Sequence, residues 1–143
     1  MRRYAQLKKL SLLEWLLLVA STLLLPLTAL GLYFVGLKRT QHFIDYLSPS
    51  TSKVSFTAQQ DLKRGQLVAR MVTAAANHGT YGANCLERSL VTCWLLQYYG
   101  IAADLRIGVR KDDADLDAHS WVEINGNLLT GDKNTRQMFR TML

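Results

Sequence analysis

Two cysteines in 143 residues, Cys85 and Cys93, are too few for a disulfide framework. On one helix they would stand about 12 Å apart at ~1.5 Å per residue, beyond disulfide reach. No Cys/His cluster has zinc-site spacing, and His42, His78 and His119 are scattered. Two unpaired thiols suit a reducing, cytoplasmic setting. A basic stripe interleaved with aromatics is also lacking. The net charge is +6, but residues 1–50 hold six Lys/Arg against two acids and residues 51–143 hold eleven against nine. The C-terminal part is therefore nearly neutral, and nucleic acid is not expected as a partner. The run Asp112, Asp113, Asp115, Asp117 lacks the central glycine and terminal glutamate of a calcium loop and reads as solvated. No internal repeat is present. No metal or cofactor is expected.

Charge is absent altogether from residues 15–37 (WLLLVASTLLLPLTALGLYFVGL), a run long enough to cross a bilayer. Arg2, Arg3, Lys8 and Lys9 precede it; Lys38 and Arg39 follow. A signal peptide fits poorly, because the run is long and lacks a clean small-x-small cleavage site. Two readings stay open. One is a membrane-spanning or embedded helix anchored by Trp15 and Tyr33, although the basic excess would then favour export of the C-terminal part. The other is a helical arm packed on the domain or on a partner, broken or kinked near Pro26.

A hydrophobic content of 49% with 20% charged residues describes a folded chain, with room for one domain plus an appendage. Residues 1–47 form the apolar helical arm and residues 48–57 (SPSTSKVSFT) a polar linker, leaving residues 58–143 as the functional domain. Leu62, Leu67, Val68, Met71, Val72 and Ala75 recur at helical spacing over 58–77, with Thr57 as cap and His78-Gly79 as stop. Asn84 caps a second helix from Cys85 to about Tyr99, and Gly100 suits the left-handed position beyond it. Ile101–Val109 reads as a strand with Ala103, Leu105, Ile107 and Val109 on one face. Ala118–Ile124 is a second strand, Asn125-Gly126 a two-residue hairpin turn and Asn127–Asp132 the return. Helices followed by an antiparallel sheet make an α+β domain.

Cys85 stands in the first turn of its helix, where unpaired backbone N–H groups and the positive end of the dipole suit a nucleophilic thiolate. Arg88, one turn on, would help and Glu87 would oppose. Cys93, mid-helix beside Leu90, Trp94 and Leu96, reads as a small buried hydrophobe. His42 and His78 read as surface or capping residues. If the hairpin ladder runs in step from its turn, Ile124 pairs with Asn127, Glu123 with Leu128, and His119 falls opposite Asp132. An aspartate there would fix the imidazole tautomer that deprotonates a thiol. A surface His–Asp pair is the plain alternative, and a slip of one residue would put Lys133 there instead.

The stretch NCLERSLVTCWLLQYYGIAADLRIGVR followed by AHSWVEINGNLL resembles the B2-type leader peptidases of lasso peptide biosynthesis, within the transglutaminase-like branch of papain-fold cysteine proteases. The likeness rests on Cys85 with Arg88-Ser89-Leu90, Gly100-Ile101, Ile107-Gly108-Val109-Arg110, and Ala118-His119 with Trp121-Val122-Glu123. It implies a nucleophile helix packed on a small antiparallel sheet and a catalytic triad of Cys85, His119 and Asp132. It further implies a leader–core precursor peptide as substrate, a small leader-recognition protein as partner and an ATP-dependent macrolactam cyclase downstream. Gln59, Gln60 and Gln66 are the available glutamines for an oxyanion hole, with no motif behind them. The same fold would also serve a membrane-tethered, non-catalytic scaffold, and the same triad an acyl transferase.

Overall fold

A computed structural model describes residues 11–47, 57–79, 82–111, 116–131 and 134–141. Four helices come first: α1 (Leu12–Val35), α2 (Leu37–Leu47), α3 (Ala58–His78) and α4 (Cys85–Tyr98). Strands β1 (Asp104–Lys111), β2 (Leu116–Ile124) and β3 (Asn127–Leu128) follow, then the single-turn α5 (Thr135–Met138) and β4 (Arg140–Thr141). The strands form one antiparallel sheet in the order β3-β2-β1-β4. The expected α+β architecture is observed, with the Cys85 helix lying on the sheet and an apolar helix at the N-terminal side.

Local chemistry sets the ends of the elements. Ser11 and Glu14 form a capping box that starts α1. That helix then passes Pro26 without interruption and stops at Gly36, whose φ of 80° turns the chain into α2. The expected break at proline is thus displaced by ten residues. Leu17, Ser21 and Leu25, in the turns before Pro26, are buried against the domain, and glycine supplies the turn beyond it. At the far end of α4, Gly100 (φ 76°) lets Ile101 N–H donate to Leu96 O at 2.9 Å and Gly100 N–H donate to Gln97 O at 2.9 Å. This Schellman closure buries Ile101 against Leu96. The closure uses Ile101, so β1 begins at Asp104 and not at Ile101.

One face of the sheet carries Leu105, Val122 and Ile124 into a single core with Val72, Ala75, Val91 and Leu96. Leu17 and Leu25 of α1 join the same core, so α1 packs along the domain through one face. Gly65 brings α3 against Ile124; a Cβ there would collide with the isoleucine's terminal methyl.

Candidate active site

Cys85 is the first residue of α4 and is half-buried. The helix start is built by Asn84, whose side-chain oxygen accepts from Glu87 N–H at 3.0 Å while Glu87 Oε2 accepts from Asn84 N–H at 3.0 Å. Glu87 is buried within this capping box. Arg88 turns back and donates to Ala83 O at 3.0 Å, bracing the chain just before the cap. The Cys85 N–H heads the helix, where no intrahelical carbonyl reaches it.

Cys93 is a different kind of cysteine. Its thiol is buried and donates to Ala103 O at 3.3 Å, tying α4 to the approach to β1. Burial, with the nearby Asp45 and Asp104 carboxylates adding to it, pushes that thiol from 9.0 up to about 12. It stays protonated and structural, as its mid-helix position suggests. His42 and His78 are exposed.

His119 lies on β2, and its neighbour Ser120 meets α4 directly: Ser120 Oγ donates to Ser89 Oγ at 3.3 Å, both residues buried. Ser89 is one turn beyond Cys85 on the same helix face. One turn further, Cys93 lies at Ala103 and Leu105, and Leu105 pairs with Val122 on β2. Helix and strand therefore advance together, about 5.4 Å per turn against about 3.3 Å per strand residue.

Strand alternation puts the His119 ring on the opposite face from Ser120. There it packs on Phe139 (centroids 5.3 Å) and stacks beside Trp121 (6.4 Å, 22°). Trp121 is fully buried and donates Nε1–H to Glu123 Oε1 at 2.9 Å; Arg106 pairs with Glu123 at 3.6 Å. Gly108, paired with His119 across the ladder, makes room for both rings. A Cβ there would stand 2.8 Å from Phe139 Cβ and 2.9 Å from the Trp121 ring. Among the described residues no hydrogen bond joins the Cys85 thiol to the His119 ring; the contact between their elements is Ser89, one turn beyond Cys85, with Ser120, the residue after His119.

The hairpin turn is as expected, with Asn125 (φ 50°) and Gly126 (φ 76°) in the two turn positions, Ile124 paired with Asn127 and Glu123 with Leu128. The ladder then leaves step. Leu129 N–H (2.8 Å) and Thr130 N–H (3.4 Å) both donate to Val122 O, and Val122 N–H donates to Thr130 Oγ1 at 2.9 Å. Two residues oppose one, which is a bulge, and Gly131 (φ 103°) turns the chain past Trp121. The return strand ends at Leu128 instead of reaching 132, so ladder counting no longer identifies the partner of His119. Asp132 and Lys133 lie outside the described residues, as do residues 112–115 of the acidic run and residues 48–56 of the linker. Gln59, Gln60 and Gln66 are all exposed on α3.

Residues 30–143 match the transglutaminase-like superfamily. The chain belongs to that superfamily. No curated protein and no solved structure matches it. The superfamily includes cysteine proteases and acyltransferases, so cysteine-peptidase-type chemistry is its general function class. The match begins inside α1 and takes in α2; α1 joins the core through Leu17 and Leu25, and α2 lies against α1 and α4. Phe139 and the Ser89–Ser120 contact were not singled out in the sequence. Gly108 was the available signal, since a glycine inside a strand marks close approach of another group.

Proposed function

We propose that this protein is a cytoplasmic cysteine peptidase that removes the leader from a ribosomally made lasso peptide precursor, working with a separate leader-binding protein. The observation that supports the reading is the Ser89–Ser120 hydrogen bond, which ties the Cys85 helix, one turn beyond Cys85, to the residue that follows His119. Superfamily membership and the likeness of residues 84–130 to B2-type leader peptidases support it.

In the proposed reaction His119 takes the proton from Cys85, and the sulfur attacks the carbonyl carbon at the leader–core junction. The Cys85 N–H donates to the oxygen that gains charge. Collapse breaks the C–N bond, and the core's new α-amine leaves with the proton from His119. Water, deprotonated by His119, then attacks the thioester and releases the leader carboxylate and the Cys85 thiol. Asp132 orients the imidazole; this role rests on the resemblance alone. The freed core passes to an ATP-dependent macrolactam cyclase. A second reading, acyl transfer from the same thioester to an amine, is favoured by the acyltransferases within the superfamily.

The test is mass spectrometry of the purified protein with the precursor and the leader-binding protein. Hydrolysis yields a leader with a free carboxylate and an intact core, and Cys85→Ala yields neither. An aminated leader would establish transfer, and cleavage retained by Cys85→Ala would dismiss Cys85 as nucleophile.

A further inference from the structure

Helix α1 is apolar on every side, but the domain covers only one of them. Leu17, Ser21 and Leu25 face the core. The opposite side presents Leu16, Val19, Leu23, Leu27, Leu30 and Phe34, each at least 50% exposed and recurring at three- and four-residue spacing. A stripe this long is larger than soluble monomers ordinarily leave in water.

Length and composition alone would let α1 cross a bilayer. The packing opposes it. Residues 17–25 are the middle of α1, and that is where α3 and α4 lie against it. Spanning in this arrangement would draw α3, with Asp61, Lys63, Arg64 and Arg70, into hydrocarbon, which strongly disfavours charge. What remains available to lipid is the outer stripe, lying along the surface.

Three observations select an anionic bilayer as the occupant. Basic residues bracket the stripe: Lys8 and Lys9 precede it in sequence, and Lys38 and Arg39 follow it, exposed at the start of α2. Amphipathic aromatics sit at its two ends, Trp15 (44% exposed) and Tyr33 (84%). Beside it, Leu27, Leu30, Phe34, Phe43 and Trp94 line an apolar groove of about 510 Å³ with Arg39 at its margin. Among the described residues the buried Trp94 indole N–H has no hydrogen-bond partner. A phospholipid acyl chain would fill this groove, its ester carbonyl would accept from Trp94, and its phosphate would meet Arg39.

We infer that α1 and α2 form a monotopic docking surface for anionic phospholipid bilayers, with α1 lying in the interface plane. The inference does not depend on the peptidase reading. It is tested by floating the full-length protein with vesicles of phosphatidylcholine alone or with added phosphatidylglycerol. Binding is expected to require phosphatidylglycerol and to weaken in high salt, with tryptophan fluorescence quenched by brominated acyl chains. An N-terminal tag should stay open to protease added outside. Leu23→Glu/Leu27→Glu should abolish flotation without changing circular dichroism, and Lys38→Glu/Arg39→Glu should weaken it about tenfold or more. A protected tag would show that α1 spans. Flotation indifferent to phosphatidylglycerol, or no flotation with the stripe buried in a dimer, would equally overturn the inference.

Discussion

Ser120 donates a hydrogen bond to Ser89 at 3.3 Å, joining the residue after His119 to the residue one turn beyond Cys85. Both hydroxyls are buried, so each depends on the other. Removing either should leave an unpartnered polar group and lower stability by about 1–3 kcal/mol. Ser89→Ala/Ser120→Ala together should cost less than the sum of the two single changes, measured by urea unfolding in a double-mutant cycle. Additive costs would show that the contact does not couple helix to strand.

The two cysteines should differ in reactivity. Cys93 is buried, donates to Ala103 O and holds its proton up to about 12, whereas Cys85 is half-exposed at a helix start. Iodoacetamide near neutral pH should label Cys85 selectively, read by peptide mass spectrometry. Equal and slow labelling of both would favour a scaffold without chemistry. Cys93→Ser keeps a donor in place and should leave activity nearly unchanged.

The same thiol gives the fold a pH dependence of definite sign. Between 9.0 and about 12 the unfolded chain releases the Cys93 proton while the folded chain keeps it. The stability due to the buried neutral thiol is therefore full below that window and lost as pH rises through it, by about 1.4 kcal/mol per pH unit. Urea midpoints compared across that window should fall more steeply for the native chain than for Cys93→Ser. Parallel curves would contradict the assignment.

Gly108→Ala should disturb the aromatic seat of His119. The added methyl meets Phe139 Cβ and the Trp121 ring, neither of which is the loose end of a flexible chain. A loss of about 1–3 kcal/mol is expected, with a fall in turnover beyond what reduced folding explains. A variant of unchanged stability and rate would show that the ring packing does not position His119.

Asp132→Asn should impair cleavage severely while leaving thermal unfolding in place, because an amide cannot balance the imidazolium that forms during the reaction. Full activity in this variant would remove Asp132 from the triad.

The caps made much of this fold legible. Asn84, Gly100 and Asn125-Gly126 each mark a boundary through local chemistry, and each appears in the structure, which adds Glu87 as the partner of Asn84 and Ile101 as the closing residue after Gly100. The resemblance also pointed to the superfamily that the comparison establishes. What escaped were non-local effects. The bulge at Leu129–Thr130 rests on a threonine hydroxyl that accepts from Val122 N–H, a bond that hairpin counting does not anticipate, with Gly131 just beyond it. Pro26 suggests a break that tertiary packing of Leu17, Ser21 and Leu25 overrides. The face on which His119 packs depends on Phe139, twenty residues later, which no short-range pattern ties to it.

In the proposed reaction Cys85 forms a covalent thioester with the leader. The most direct measurement is intact-protein and peptide mass spectrometry after rapid acid quench of a reaction with the precursor and its leader-binding protein. A leader-sized adduct is expected on the peptide containing Cys85, absent from Cys85→Ala. Leader release with no adduct on Cys85, and undiminished in Cys85→Ala, would contradict it.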